Sequence, residues 1–152
     1  MNIFRIVQEK SRTKDLSGTG AFRSGGRWNS KGVYMLYTSE NSSLAYLESL
    51  VHFDKILSPP QLFIVELEIS DDSLIYTLPE ADYPKDWMKL SLIANQQLGD
   101  RWMSEKKWLG IKIRSAINVL EYNIVLNPLF PLYHDLVRVI SVFELPLDDR
   151  LV

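Results

Sequence analysis

From Gln61 to Ile69 the chain alternates with a period of two: Phe63, Val65, Leu67 and Ile69 share one face of an extended strand, and Glu66 and Glu68 point the other way. A strand of that pattern covers a core with one face only, which calls for a sheet with one buried side at this point. Ser58-Pro59-Pro60 breaks whatever precedes it. Further strand candidates are Ile3 to Val7, Val33 to Thr38, Leu74 to Thr77, Gly110 to Ile113, Asn123 to Leu126 and Leu136 to Phe143, with Pro128 and Pro131 marking the turn before the last. Two helical stretches lie among them: Asn41 to Phe53, which Ser39 or Asn41 can cap, and Leu90 to Glu105, interrupted by Gly99. Asp82 to Trp87 reads as a loop. Strands dominate without a β-α-β rhythm. The expected class is therefore α+β, a mostly antiparallel sheet with flanking helices rather than a doubly wound fold.

A chain of 152 residues fits a single domain, 1–152, with a real core. Its 46% hydrophobic and 24% charged residues are ordinary for a globular protein. The net charge of −2 leaves no basic footprint for general nucleic-acid binding, although a local basic pocket stays open. Cysteine is absent, which excludes disulfides and thiolate chemistry and makes the cytoplasm the expected compartment. Met1-Asn2-Ile3-Phe4-Arg5 does not read as a signal peptide, and no apolar run approaches the roughly 20 residues of a membrane span. The glycosylation sequon Asn41-Ser42-Ser43 is then a chance match.

The chemistry concentrates after a polar loop, Gln8 to Gly32, that is too long to be a simple connection. It ends in Gly25-Gly26-Arg27-Trp28-Asn29-Ser30-Lys31-Gly32. Adjacent glycines admit close backbone approach or positive φ, an arginine fork suits phosphate or carboxylate, and Trp28 offers a flat surface. Tyr37 follows on a strand, and Glu48 on the next helix. Steps of 100° place Leu44, Leu47, Glu48 and Val51 inside one arc of roughly 100°. A glutamate in a buried stripe is costly unless something pairs with it. Each residue also has a plain structural role open to it. Arg27 can close a turn by a salt bridge, Tyr37 and the tryptophans can pack, and Glu48 can belong to a structural ion pair. Ser115, Asn123 and Asn127 can cap or turn.

Other motifs fail. Gly18-Thr19-Gly20 lacks the third glycine of a dinucleotide fingerprint, since Arg23 stands there; no parallel strand leads in and no helix pattern starts at it. Gly20 to Gly25 resembles half a P-loop, but Gly26 replaces the lysine. His52 and His134 lie far apart without a metal-ligand pattern, so structural or exposed roles are expected and no metal site is assigned. Ser115 has no Gly-x-Ser-x-Gly elbow to make it a hydrolase nucleophile.

At Arg27, Glu48 and Ser115 the chain resembles the RES-domain proteins, named for an arginine, a glutamate and a serine. The resemblance runs in order over nearly the whole chain. It takes in Phe4-Arg5, Gly25-Gly26-Arg27-Trp28-Asn29 with Gly32, Tyr34 and Tyr37, and Ser43 to Glu48. It continues through Leu98-Gly99-Asp100-Arg101-Trp102, Ser115-Ala116, Asn123, Asn127-Pro128 and Asp149-Arg150-Leu151. Two positions depart from it: Arg114 stands where a proline usually precedes the serine, and Phe130 where a histidine usually follows the Asn-Pro turn.

The resemblance implies a fold similar to ADP-ribosyltransferases of the diphtheria-toxin kind and NAD+ as substrate. It also implies a role as the toxin of a bacterial toxin–antitoxin pair, restrained by an antitoxin with a helix-turn-helix region of the Xre type. Such toxins degrade NAD+ at the nicotinamide–ribose bond, by hydrolysis or a phosphorolysis-like route, and some transfer ADP-ribose to a protein acceptor. In that frame Glu48 stabilises an oxocarbenium-like ribose, Arg27 binds the pyrophosphate or nicotinamide side, and Tyr37 brackets the nicotinamide or ribose. Ser115 contacts the nucleotide or supports Glu48, Trp28 lends a surface, and Arg5 is a second phosphate candidate. Two other classes remain open. A glycosidase would recruit Glu66 or Glu68 beside Glu48, and a non-catalytic module would bind the antitoxin alone.

Overall fold

The computed structural model describes residues 1–51, 61–90, 93–146 and 148–151. Among these residues seven strands form one sheet: β1 (Asn2–Val7), β2 (Leu36–Ser39), β3 (Leu62–Ile69), β4 (Ile75–Thr77), β5 (Gly110–Arg114), β6 (Tyr122–Leu126) and β7 (Val137–Leu145). Their spatial order is β4-β5-β6-β2-β1-β3-β7. Every neighbouring pair is antiparallel except β4 and β5. That parallel pair is joined through α3 (Ile93–Glu105), a β-α-β crossover absent from the expected pattern. β4 falls within the Leu74 to Thr77 candidate, but a strand of 3 residues carries no sign of the direction in which it pairs. The other α-helices among the described residues are α1 (Thr19–Ser24), α2 (Ser42–Leu50) and α4 (Tyr133–Leu136). Among the described residues no helix is long and apolar enough to cross a membrane.

The alternation in β3 decides the packing. Ile3, Val7, Phe63, Val65, Leu67 and Ile69 are buried on one sheet face with Leu36, Ile124, Leu126, Tyr133 and Val137. The opposite face carries a second core around Trp28, Met35, Trp102, Met103, Ile111, Ile113 and Val125. Neighbours such as Ile124 and Val125 therefore serve different cores, as the pleat requires.

Three expectations need correction. The segment Gln8 to Gly32 is not a bare loop: it holds a 3-10 turn, Lys10–Arg12, and the helix α1. At 6 residues α1 is shorter than two turns and cannot show helical periodicity. A helix thus does start just after Gly18, but β1 lies well upstream and pairs only antiparallel, so no dinucleotide fingerprint forms. In α2, capped by Asn41 through its side-chain bond to the Leu44 N–H (2.8 Å), the buried arc is rotated toward Ala45. Leu44 and Ala45 are buried, while Leu47 is 37% and Val51 61% exposed. Glu48 lies between Leu44 and Ala45 on the helical wheel, so it still faces inward. Phe53 and His52 lie outside the described residues; His134 is exposed on α4.

The sheet opens where the site lies. β1 meets β2 at one residue pair, Phe4 and Ser39, whereas β1 and β3 share a register from Asn2 to Val7. Beyond Phe4 the two strands diverge, and α2 packs across both.

Candidate active site

A cavity of about 1050 Å³ fills the fork between β1 and β2. Arg5, Arg27, Tyr37, Glu48, Ser49 and Asn123 are among the residues that line it. Its mouth carries three exposed apolar side chains, Val51, Leu90 and Ile117.

One wall holds the carboxylate. Glu48 Oε1 accepts a hydrogen bond from Ser115 Oγ (2.7 Å) and another from Asn123 Nδ2 (2.7 Å). Asn123 Oδ1 in turn accepts from Ser39 Oγ (2.7 Å), which fixes the amide so that its NH2 faces Glu48. Ser115, fully buried, accepts on Oγ from the N–H groups of Ile117 (3.1 Å) and Asn118 (3.0 Å), leaving its single proton for Glu48. Both donors converge on one oxygen. Among the described residues Oε2 has no hydrogen-bond partner, and Glu48 lines the cavity.

The other wall is the glycine–arginine loop. Arg27 Nη1 donates to the carbonyls of Trp87 (3.1 Å) and Lys89 (3.0 Å), and among the described residues Nε and Nη2 carry no bond. It is therefore held by backbone rather than by a salt bridge, with its remaining donors open to an anion. Tyr37 lines the cavity, but its hydroxyl is committed: it donates to Asn29 Oδ1 (2.7 Å) and accepts from the Trp28 N–H (3.0 Å). Burial pushes that hydroxyl well above the ordinary tyrosine pKa. A Cβ on Gly26 would stand 2.6 Å from this oxygen, so glycine is required for the close approach. Asn29 Nδ2 reaches the carbonyls of Ala21, Ser30 and Val33, and Gln96 Nε2 those of Gly26 and Asn29. Asp100 accepts from both the N–H and the hydroxyl of Ser30.

Trp28 both lines the cavity and packs in the aromatic core, the role open to the tryptophans from the sequence. It is 2% exposed, and its ring lies 5.5 Å from Trp102, 6.0 Å from Trp87 and 6.4 Å from Tyr83. Its indole belongs to the second core. Arg5 sits in the other arm of the cavity with Arg12 and Asp15, and its Nη1 donates to the Asp15 carbonyl. Burial lowers the Arg5 guanidinium pKa, and the neighbouring Asp15 charge opposes that shift.

Glu66 and Glu68 do not join Glu48. Glu66 accepts from Asn2 and Ser141, and Glu68 pairs with Arg138 on β7. Among the described residues no group of three or more His, Cys, Asp or Glu is arranged to hold a metal ion. The residues that sequence reasoning undervalued are Asn29, Ser39, Gln96, Asp100 and Asn123. All are neutral or solvated types in isolation, and only tertiary pairing gives them work. Asn127 does turn the chain, accepting from Leu129 N–H, but also ties β6 to α3 through the Met103 carbonyl.

Comparison with known proteins bears on this geometry. The family model described as the RES domain matches residues 2–148. A Yersinia enterocolitica protein named Toxin Res is 32% identical over 99% of this chain and 99% of its own length. A Sphingobium protein named Prs ADP-ribosylating toxin is 31% identical over 77% of this chain and 74% of its own. Among solved structures, a chain of the M. tuberculosis MbcT–MbcA toxin–antitoxin complex superposes with a TM-score of 0.72. That likeness covers 95% of this chain and 84% of the other at 16% identity, which establishes a common fold.

Proposed function

The chain belongs to the RES-domain family, and from that premise we propose that it is the toxin of a toxin–antitoxin pair and that it consumes NAD+ by cleaving the nicotinamide–ribose bond. The observation that carries this reading is Glu48: an inward carboxylate on the cavity lining, with one oxygen fixed by Ser115 and Asn123. Breaking the C1′–N bond returns its electron pair to the pyridinium nitrogen, so neutral nicotinamide departs and positive charge grows on the ribose. A preorganised carboxylate stabilises that charge and can hold a ribose hydroxyl. Arg27, with Nε and Nη2 open, takes the pyrophosphate. The Tyr37 ring bounds the ligand while its hydroxyl holds the loop. Ser115 orients Glu48, and Arg5 contributes a second cation farther along the cavity. A water that adds to C1′ and sheds a proton completes hydrolysis to ADP-ribose.

The test is NAD+ concentration over time with purified protein, wild type beside Glu48→Gln, with nicotinamide and ADP-ribose read by chromatography. Glu48→Gln should lower turnover by at least about 10²-fold to 10³-fold while the fold persists. Equal NAD+ loss in both proteins overturns the assignment. The name of the Sphingobium relative favours a second reading, transfer of ADP-ribose to a protein acceptor. Labelled NAD+ in lysate separates the two by whether label enters protein. The exposed Val51, Leu90 and Ile117 at the mouth fit coverage by the antitoxin, of the Xre type in our reading, with both partners in the cytoplasm. Full NAD+ consumption at saturating antitoxin would exclude direct occlusion.

A further inference from the structure

Arg114 ends β5 immediately before Ser115 and is bonded in two directions. Its backbone N–H donates to Tyr83 Oη (2.8 Å). The Tyr83 ring packs 5.0 Å from Trp87, whose carbonyl receives Arg27 Nη1. Its guanidinium pairs with the Glu80 carboxylate through Nε, donates to the Val119 carbonyl through Nη1 (2.6 Å), and lies 5.5 Å from the Tyr122 ring centroid. Val119 belongs to the turn that leaves Ser115 and returns at Glu121, where the Ser115 N–H closes on the Glu121 carbonyl (2.9 Å). One residue thus clamps the segment 80–83 to the segment 115–121.

The clamp bears on the carboxylate. Ser115 Oγ points its proton at Glu48 because the N–H groups of Ile117 and Asn118 occupy its lone pairs. If the turn relaxes, those two bonds loosen and the hydroxyl is free to rotate away. A shorter or neutral side chain cannot reach both Glu80 and Val119. A proline, the residue the family resemblance expects, has neither the N–H nor the guanidinium.

We propose that Arg114 is a positioning residue that couples the arginine wall to the carboxylate wall by holding the Ser115 turn; its effect on turnover rests on the NAD+ reading above. The test compares wild type, Arg114→Met, Arg114→Lys, Ser115→Ala and the double variant Arg114→Met/Ser115→Ala in the whole chain. Amide hydrogen exchange at Ile117 and Asn118 should be about tenfold faster in Arg114→Met, with Arg114→Lys between. kcat should fall about tenfold with KM within about twofold, and Arg114→Met should add little to Ser115→Ala. Unchanged exchange overturns the clamp, and fully additive effects on kcat overturn the route through Ser115. If the wild type fails to turn over NAD+, the functional reading falls while the exchange data still decide the clamp. Should Arg114→Met not fold, Arg114→Lys decides alone by the same exchange readout.

Discussion

The two walls of the cleft are built on opposite principles. The carboxylate wall is a chain of side chains, Ser39 to Asn123 to Glu48 with Ser115 joining, drawn from β2, β6, α2 and the end of β5. The arginine wall is mostly side chains locked onto backbone: Arg27 on two carbonyls, Asn29 on three, Gln96 on two, with an aromatic core behind it. The difference separates what each wall can lose. Damage to the arginine wall removes packing and satisfied backbone, so it should appear in stability. Damage to the carboxylate wall leaves the core intact and should appear in turnover.

Gly99 gives the largest test. α3 backs onto the loop so closely that a Cβ there would sit 1.6 Å from the Trp28 carbonyl oxygen. Gly99→Ala should cost about 4 kcal/mol or more, since helix or loop must shift. Denaturant unfolding measures it, and a midpoint near wild type would mean the wall is not packed against α3 as described.

Tyr37→Phe comes next. It leaves Asn29 Oδ1 and the Trp28 N–H without their partner, at about 2 kcal/mol for groups so placed. Melting should drop measurably. If stability holds but turnover collapses, the hydroxyl works on the ligand and not on the loop.

Asn123→Ala reverses the pattern. One of two donors to Glu48 disappears, and turnover should fall about tenfold, about 1.4 kcal/mol in the barrier, with little change in melting. A large loss of stability instead would make Asn123 part of the core and erase the contrast between the walls.

This contrast also explains what the sequence discloses. The arginine wall is largely local, from Gly25 to Tyr37, so glycines, arginine and tyrosine stand close enough together to be read as a unit. β3 is legible for the same reason, since its alternation is a property of consecutive residues. Glu48 shows because it interrupts an apolar stripe, even though Leu47 and Val51 turn outward and the stripe itself is rotated. Asn123 and Ser39 do not show: an asparagine at a strand start and a serine at a strand end match turn chemistry equally well. Their role exists only once β2 and β6 pair, Ser39 against Asn123. Trp28 is legible as an aromatic that can pack, but not by its partners, because Tyr83, Trp87 and Trp102 come from distant segments.

The smallest effect separates the walls by pH. Tyr37 on the arginine wall and Tyr133, whose hydroxyl donates to the Leu16 carbonyl in the other core, are both pushed above the ordinary tyrosine pKa by burial. Above about pH 10 the unfolded chain releases these protons while the folded chain keeps them. The unfolded state then binds fewer protons, so stability is complete below that pH and falls as pH rises toward the folded values. The slope is at most about 1.4 kcal/mol per pH unit for each tyrosine. Tyr37→Phe should remove its share of the alkaline slope and Tyr133→Phe should remove another, whereas Asn123→Ala should leave the slope untouched. Urea unfolding across the alkaline range reads all three. An unchanged slope in Tyr37→Phe would mean that water reaches the hydroxyl in solution. The loop would then be held by Asn29, Gln96 and the aromatic core without the tyrosine latch.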